Sequence, residues 1–402
     1  MKLKATKAFL LLAVLLVAAQ AFAGTIVSYT QVVNKATPGI GGVPAVTLAS
    51  SPDPSTFNQS VTFTATVPAQ ATGTVTFLDG STSIGTGTVS SGTATLSIST
   101  LSGGVHTVTA SYGGDSNFSP ATSSAINQTV NKAASSITLA SATNPSTFGG
   151  SVVLTAAITG APGGPNYGTV TFYDGATSLG TATPTAGVAT LSLSTLTAGT
   201  HSLTAAYAGD RDLLASTSPV LSQVVSKATG AISVTSAINP STFGQMIVFT
   251  AHVPSDASGT VTFLDGSTSI GTGTVSSGTA TLSISTLTAG THSVSISYSG
   301  DSNYSSGTSS AISQVVNKAT LSATVSGVPN PSTYLQTVTI SFQATAVAGV
   351  MPTGTVQFAD GSTPIGTPIS IDATGKATIT VTTLAAGSHT INATYSGDGN
   401  FQ

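Results

Sequence analysis

The chain has 402 residues, a formal net charge of -3 and only 5% charged residues, and its twelve acidic groups are all Asp. So weak a field excludes attraction to nucleic acid or to an anionic membrane by long-range electrostatics. The absence of Cys excludes zinc–thiolate sites, cysteine nucleophiles and disulfide staples, so each domain must be held by core packing. Hydrophobic residues make up 40% of the chain, which together with the low charge argues for folded domains.

Residues 1–23 have the pattern of a secretory signal peptide. Lys2, Lys4 and Lys7 precede an apolar run from Ala8 to Ala19, and Ala21-Phe22-Ala23 supplies a small-x-small cleavage site before Gly24. The alternative, a membrane anchor, needs about 20 apolar residues, more than this run contains. Removing the leader leaves twelve Asp against five Lys and one Arg, a formal charge of -6. The expected location is extracellular or at the cell surface, with no transmembrane anchor once the leader is gone.

The rest is a tandem array, and repeats must be recognised before any motif is weighed. Residues 73–101 and 259–287 are identical, and related blocks start at Gly168 and Gly354. An N/D-P-S-T-F/Y motif ends at Phe57, Phe148, Phe243 and Tyr334. A histidine recurs at His106, His201, His292 and His389. A closing Q-V/T-V-N/S-K-A segment starts at Gln31, Gln128, Gln223 and Gln314. The phase divides the chain into an orphan last strand with linker (24–45) and four repeats: 46–134, 135–229, 230–320 and 321–402. The fourth lacks its last strand.

Within a repeat the hydrophobic period is two. Val61, Phe63, Ala65 and Val67 alternate with polar residues, as do Val75 and Phe77, then Ala94, Leu96 and Ile98, then Val108, Ala110 and Tyr112. Such alternation, broken by Gly, Pro and Asp, predicts half-buried antiparallel strands. Asp79-Gly80 predicts a tight hairpin, whose primed turn needs positive φ. About seven strands per repeat predict an all-β chain of immunoglobulin-like sandwiches. The segments TFLDGSTSIGTGTV and TLTAGTHSVSISYSGDSNY resemble bacterial Ig-like domains of the group 3 type, found in large secreted and surface proteins. The resemblance covers nearly all of the chain after the leader. It implies spacers, stalks and adhesin arms, or accessory modules beside other domains.

The repeated histidines sit at the start of the sixth strand, where a corner side chain bonds nearby backbone in such sandwiches; His252 is the unpaired fifth. Ser and Thr are abundant, but no G-x-S-x-G elbow and no uniquely placed His–Asp pair stands out. No catalytic residues are assigned and the chain is read as non-enzymatic. The aspartates are the sharper case. One set follows the third strand (Asp79, Asp174, Asp265, Asp360); another follows the sixth (Asp115, Asp210, Asp301, Asp398), with Asn117, Asp212, Asn303 or Asn400 two positions on. In a head-to-tail array Asp79 would approach Asp210 and Asp212, Asp174 would approach Asp301, and Asp265 would approach Asp398. Oxygen ligands at a junction suit Ca²⁺, as in cadherin-like arrays, although calcium takes 6–8 oxygens. The alternative is turn chemistry alone. No other cofactor is expected.

Two partner classes follow. A surface glycan or protein would meet the loop between strands two and three, which differs most between copies: Pro68–Thr72, Gly160–Tyr167, Pro254–Ser258 and Ala348–Thr353. Self-association would use the open edge of repeat 4. The segment Thr25 to Thr37 matches Thr308 to Thr320, a seventh strand, while the chain stops at Phe401-Gln402 before its own. Either the chain is a fragment of a longer array, or it donates its spare strand head to tail and builds a filament.

Overall fold

The structure is a computed structural model that describes residues 29–41, 45–160 and 168–402. The expected leader and residues 161–167 of the second variable loop lie outside the described residues. Every regular element among them is a β-strand, and no helix is long and apolar enough to cross a membrane. The chain divides into two compact units, Met1–Lys132 and Ala133–Gln402. The first holds repeat 1 and the second holds repeats 2, 3 and 4.

Repeat 1 gives the pattern. Its strands are β1 (Thr47–Ser51), β2 (Ser55–Thr56), β3 (Val61–Thr66), β4 (Thr74–Asp79), β5 (Thr82–Thr88), β6 (Thr93–Ile98), β7 (Gly104–Tyr112), β8 (Ala121–Thr122) and β9 (Ile126–Asn131). One sheet has the order β1-β3-β6. The other has the order β2-β9-β7-β4-β5, with β8 added to β7. All pairings are antiparallel except β2 with β9. The two-residue β2 and β8 were not expected. The alternation predicted seven longer strands, and two residues carry no periodic signal.

The inward positions are those the alternation marks. Val61, Phe63, Ala65, Val75, Phe77, Val108, Ala110 and Tyr112 are all buried, and Phe63 and Phe77 meet across the two sheets with ring centroids 6.2 Å apart. The hairpin at Asp79-Gly80 is present. Asp79 pairs with Thr82, and Gly80 takes φ 57 at the first central position, which a side chain would disfavour. Repeats 2 and 3 reproduce both sheets with the same strand order.

Repeat 4 departs from this pattern. Its sheets are Ala323–Val328, Val338–Ala344 and Lys376–Val381 on one side, and Thr363–Ser370, Thr355–Asp360 and Ile391–Tyr395 on the other. The counterpart of β7 runs nine residues in repeat 3 (Gly290–Tyr298) and five in repeat 4 (Ile391–Tyr395). The reason is pairing. In repeat 3 the first half of that strand, Gly290 to Val294, bonds to the last strand, Ile312–Asn317.

The identical blocks make repeat 3 a fair test of the core. Phe263 is fully buried in it. Phe263→Ala is expected to cost about 3–5 kcal/mol, read as an earlier denaturant midpoint for repeat 3, while the outward-facing Thr262→Ala leaves that midpoint nearly unchanged.

Candidate functional site

The repeated histidines and the first set of aspartates form pairs. β4 ends at Asp79 and β7 begins beside it, because Asp79 pairs with Val108 in the antiparallel register. That places His106 Nδ1 2.7 Å from Asp79 Oδ2, and His106 Nε2 2.8 Å from the Ser102 carbonyl oxygen. The same corner recurs as His201 with Asp174 and Thr197 O, His292 with Asp265 and Thr288 O, and His389 with Asp360 and Ala385 O. The sequence alone marks the histidines as a backbone-bonding corner and the aspartates as separate turn or metal carboxylates; the carboxylate partner of each histidine emerges only in the fold. The signal was present as a constant His–Asp separation of 27 residues in repeats 1 to 3.

In His201, His292 and His389 both ring nitrogens face acceptors, and only an imidazolium donates from both. For His201 and His292, burial disfavours the charge, but the backbone carbonyls of Thr197 and Thr288 and then Asp174 and Asp265 outweigh it and raise the pKa. For His389 the Ala385 carbonyl and Asp360 raise it against a smaller burial effect. The corner ties the hairpin to the turn that precedes β7 and its counterparts.

The second set of aspartates caps loops at the other end of that strand. Asp301 Oδ1 accepts from the amides of Asn303 and Tyr304, both at 2.8 Å. Its Oδ2 accepts from Ser258 N at 2.7 Å and Ser258 Oγ at 3.2 Å. Asp115 is held in the same way by Thr72, Asn117 and Phe118, and Asp398 by Thr353, Asn400 and Phe401. Asp210 accepts from the amides of Asp212 and Leu213 and from the Tyr207 hydroxyl. Burial opposes the charge of Asp301, but the amides of Ser258, Tyr304 and Asn303 outweigh it and bring its pKa down to about 2. These bonds also fix the variable loops: Thr72 and Ser258 belong to two of them, which close as turns through Ala71 N–H to Pro68 O and Ala257 N–H to Pro254 O.

The capped loop is where consecutive repeats of the second unit meet. Ala228, just past the last strand of repeat 2, forms a parallel bridge with Tyr304 of repeat 3. Its amide donates to Asn303 O at 2.9 Å, and its carbonyl accepts from Ser305 N at 3.0 Å. Lys227 Nζ donates to the Asp301 carbonyl. The Asn303 side chain accepts from Ala198 N at 3.0 Å, and Phe148 packs edge-on against Tyr304. Repeats 3 and 4 meet by the same contacts. Ala319 bridges to Phe401, Lys318 Nζ donates to Asp398 O, Asn400 Oδ1 accepts from Ala289 N at 2.9 Å, and Phe243 packs edge-on against Phe401. Phe401 is fully buried and belongs to the repeat 3 core, which Leu321 and Val347 also join from repeat 4.

The carboxylates of six of the seven expected calcium ligands have partners close in their own repeats. Asp79, Asp174 and Asp265 bond to histidines, and Asp210, Asp301 and Asp398 bond to backbone amides of their own loops. The backbone carbonyl of Asp212 accepts from Ala133 N, at the exit of the preceding repeat, at 2.8 Å. Among the described residues no group of three or more His, Cys, Asp or Glu is arranged to hold a metal ion. A junction calcium would have to displace these bonds. The fifth histidine, His252, lies on an exposed strand face with Nε2 3.3 Å from Thr235 Oγ1.

Two outcomes follow from the charges. The three raised histidines stabilise the fold fully below their unfolded value of 6.5, and that share is lost as pH rises through the higher folded values. Asp301 and Asp398 act in the opposite sense. Their share is present above the unfolded value of 3.8 and is lost as pH falls towards the lowered folded values. The melting temperature is expected to fall as pH rises from 6.5 through the raised folded values, and the triple variant His201→Ala, His292→Ala, His389→Ala loses that slope but keeps the acid limb. Separately, melting curves in chelator and in millimolar calcium are expected to coincide; a rise of several degrees with calcium would restore the junction ion.

A comparison with curated protein sequences found no match. Among solved structures, the ICAM-5 D1–D4 ectodomain fragment is 11% identical with a TM-score of 0.28, covering 88% of this chain and 99% of its own. The three N-terminal domains of the outer capsid protein Hoc of bacteriophage RB49 are 15% identical with a TM-score of 0.21, covering 61% and 86%. The fibronectin(III)-like modules of Clostridium thermocellum CbhA are 19% identical with a TM-score of 0.19, covering 45% and 93%. Scores this low leave the assignment to the strands and to the family comparison. The model of the bacterial Ig-like domain (group 3) matches four times, at residues 47–131, 139–226, 234–317 and 324–402. Four matches in phase with four sandwiches make this chain a member of the bacterial Ig-like domain (group 3) family.

Proposed function

We propose that the chain is a non-enzymatic structural element, exported to the cell surface or the surrounding medium, in which the repeats act as stiffly joined spacers. The observation that carries the reading is the junction. The contacts between repeats 2 and 3 recur between repeats 3 and 4, down to the alanine bridge, the lysine, the asparagine and the edge-on ring pair. A joint built from backbone bonds and an edge-on ring pair, with Phe401 sunk into the repeat 3 core at the second joint, resists bending more than a solvated linker does. Export is supported by the leader pattern, and the adhesin-like role by the family. The polar side chains described above bond within the fold, which leaves a reacting group without an evident place.

Solution scattering tests the stiffness. The double variant Asn303→Ala, Asn400→Ala, which removes both side-chain clasps and leaves the repeats folded, is expected to give a more flexible profile than the parent. An unchanged profile would count against spacers whose stiffness comes from these joints. A glycan array probes the binding alternative. The expected result is no ligand, and a ligand whose capture is lost on exchanging Pro68–Thr72 or Pro254–Ser258 would replace the spacer reading.

A further inference from the structure

The loop between the second and third strands differs between repeats in length as well as in sequence. Its ends are fixed by equivalent backbone bonds. Val67, Val253 and Ala344 donate to Gly92, Gly278 and Gly375, and the carbonyls of Gly73, Gly259 and Gly354 accept from Val89, Val275 and Ile371. Between those ends lie five residues in repeats 1 and 3 and nine in repeat 4. The longer loop folds on itself as a hairpin. Val347 N donates to Val350 O at 3.1 Å and Val350 N to Val347 O at 2.9 Å. Ala348 and Gly349 between them take φ 47 and 77, the positive pair that a primed turn needs. Thr345 N donates to Ser322 O at 2.9 Å, which ties the base of the hairpin to the linker.

The hairpin turns Val347 away from its own repeat. Val347 packs against the core of repeat 3 and does not join that of repeat 4. Its seat is Gly244, the residue after the N-P-S-T-F motif of repeat 3. A Cβ on Gly244 would collide with Val347 Cγ1 and stand 3.7 Å from Ala348 Cβ. The counterparts of Gly244 are Asn58, Gly149 and Leu335. All four share a left-handed backbone, with φ 82 at Gly244 and 70, 77 and 63 at the others. Two of them carry a side chain there, so the turn by itself does not dictate glycine. At Gly244 the space is taken by the next repeat. At Gly149 a Cβ would meet no atom of the described residues within 4 Å.

The joint between repeats 2 and 3 is filled differently. The short loop of repeat 3 leaves Gly149 uncovered and lies on the linker. A Cβ on Gly230 would stand 2.7 Å from Pro254 Cδ and 3.5 Å from Tyr304 Cδ1. The Tyr304 hydroxyl donates to Asp256 Oδ1 of the same loop at 2.7 Å, and the other face of the joint is the Phe148–Tyr304 ring pair. In repeat 4 the place of Gly230 is held by Leu321, which packs against the cores of both repeats 3 and 4. A loop seated like Pro254 would meet that side chain. Each loop therefore matches the residues that precede it: a short loop with a glycine in the linker, a long one with a glycine after the motif.

We propose that the partner of the variable loop in repeats 3 and 4 is the preceding repeat of the same chain, and that Val347 seated on Gly244 locks the joint between repeats 3 and 4. Variation between copies in this loop then serves joint geometry. Variable loops on a rigid scaffold carry recognition, and here what they recognise is the neighbour and its linker. The shared contacts at the exit alanine set the common joint, and the loop sets how firmly each one is held. The proposal deepens the spacer reading and rests on it.

Distances between spin labels on Thr281→Cys and Thr378→Cys, measured by double electron–electron resonance on the full chain, test it. Both positions are exposed at equivalent places on neighbouring repeats, and the chain has no Cys of its own, so the labels report this joint alone. The labelled parent is expected to give one narrow distribution. Val347→Ala, and separately Gly244→Asn, which installs the side chain that repeat 1 carries at this position, are each expected to broaden and shift it. Val350→Ala, in the same hairpin but 39% exposed, is expected to leave it as in the parent. At the joint between repeats 2 and 3, read from Thr190→Cys and Thr281→Cys, Gly149→Asn is expected to change nothing. Val347 lies outside the core of repeat 4, so circular dichroism of Val347→Ala is expected to match the parent, which separates a loosened joint from an unfolded repeat. A narrow distribution that survives Val347→Ala or Gly244→Asn unchanged would overturn this proposal and leave the spacer reading standing. A broad distribution in the parent at the joint of repeats 3 and 4 would also overturn it, and a broad one at both joints would overturn the spacer reading as well.

Discussion

A single carboxylate per repeat organises the end at which repeats meet. Asp301, like Asp115 and Asp398, accepts amides from two sides of its loop. The loop is held open as a platform because those amides converge on a charge, and charge-assisted bonds of this kind are stronger than neutral ones. On that platform the backbone of the preceding repeat's exit alanine forms its bridge, and the residue after the asparagine turns its ring inward. Without the cap, the loop would have several conformations, and the alanine would have no fixed edge to meet.

The His–Asp corner serves the opposite end of the same strand. In repeat 3 it holds the turn from 287 to 292 from the inside through Thr288 O, while Asn400 of the next repeat holds it from the outside through Ala289 N. Corner and cap are therefore mechanically in series. The chain has only twelve acidic groups; four bond to histidines and four cap loops. Charge here is mostly internal scaffolding, which leaves little for long-range recognition and agrees with a surface of hydroxyls, amides and backbone.

Much of this was legible beforehand, for physical reasons. Strand period is local, so Val61, Phe63 and Ala65 announce a buried face without reference to any other strand, and Gly80 announces its turn through φ alone. The phase of the repeats was legible as well, through identity between copies. The Asp79–His106 pair was not legible, because two residues 27 positions apart meet only when β4 and β7 align. The junction was half legible. The two loop sets do lie at opposite ends of the strand, but the clasp is made by Asn303 and Asn400, two positions after the aspartates.

By itself, then, the sequence determined the repeat phase, the sandwich class, the inward residues and the match between residues 31–36 and 314–319. Those properties depend on neighbours one or two positions away or on identity between copies. Only the tertiary structure decided which carboxylates face histidines and which face amides, and where an exit alanine lands. These depend on distances between segments that lie tens of residues apart, which the packing of two sheets sets and no local pattern records.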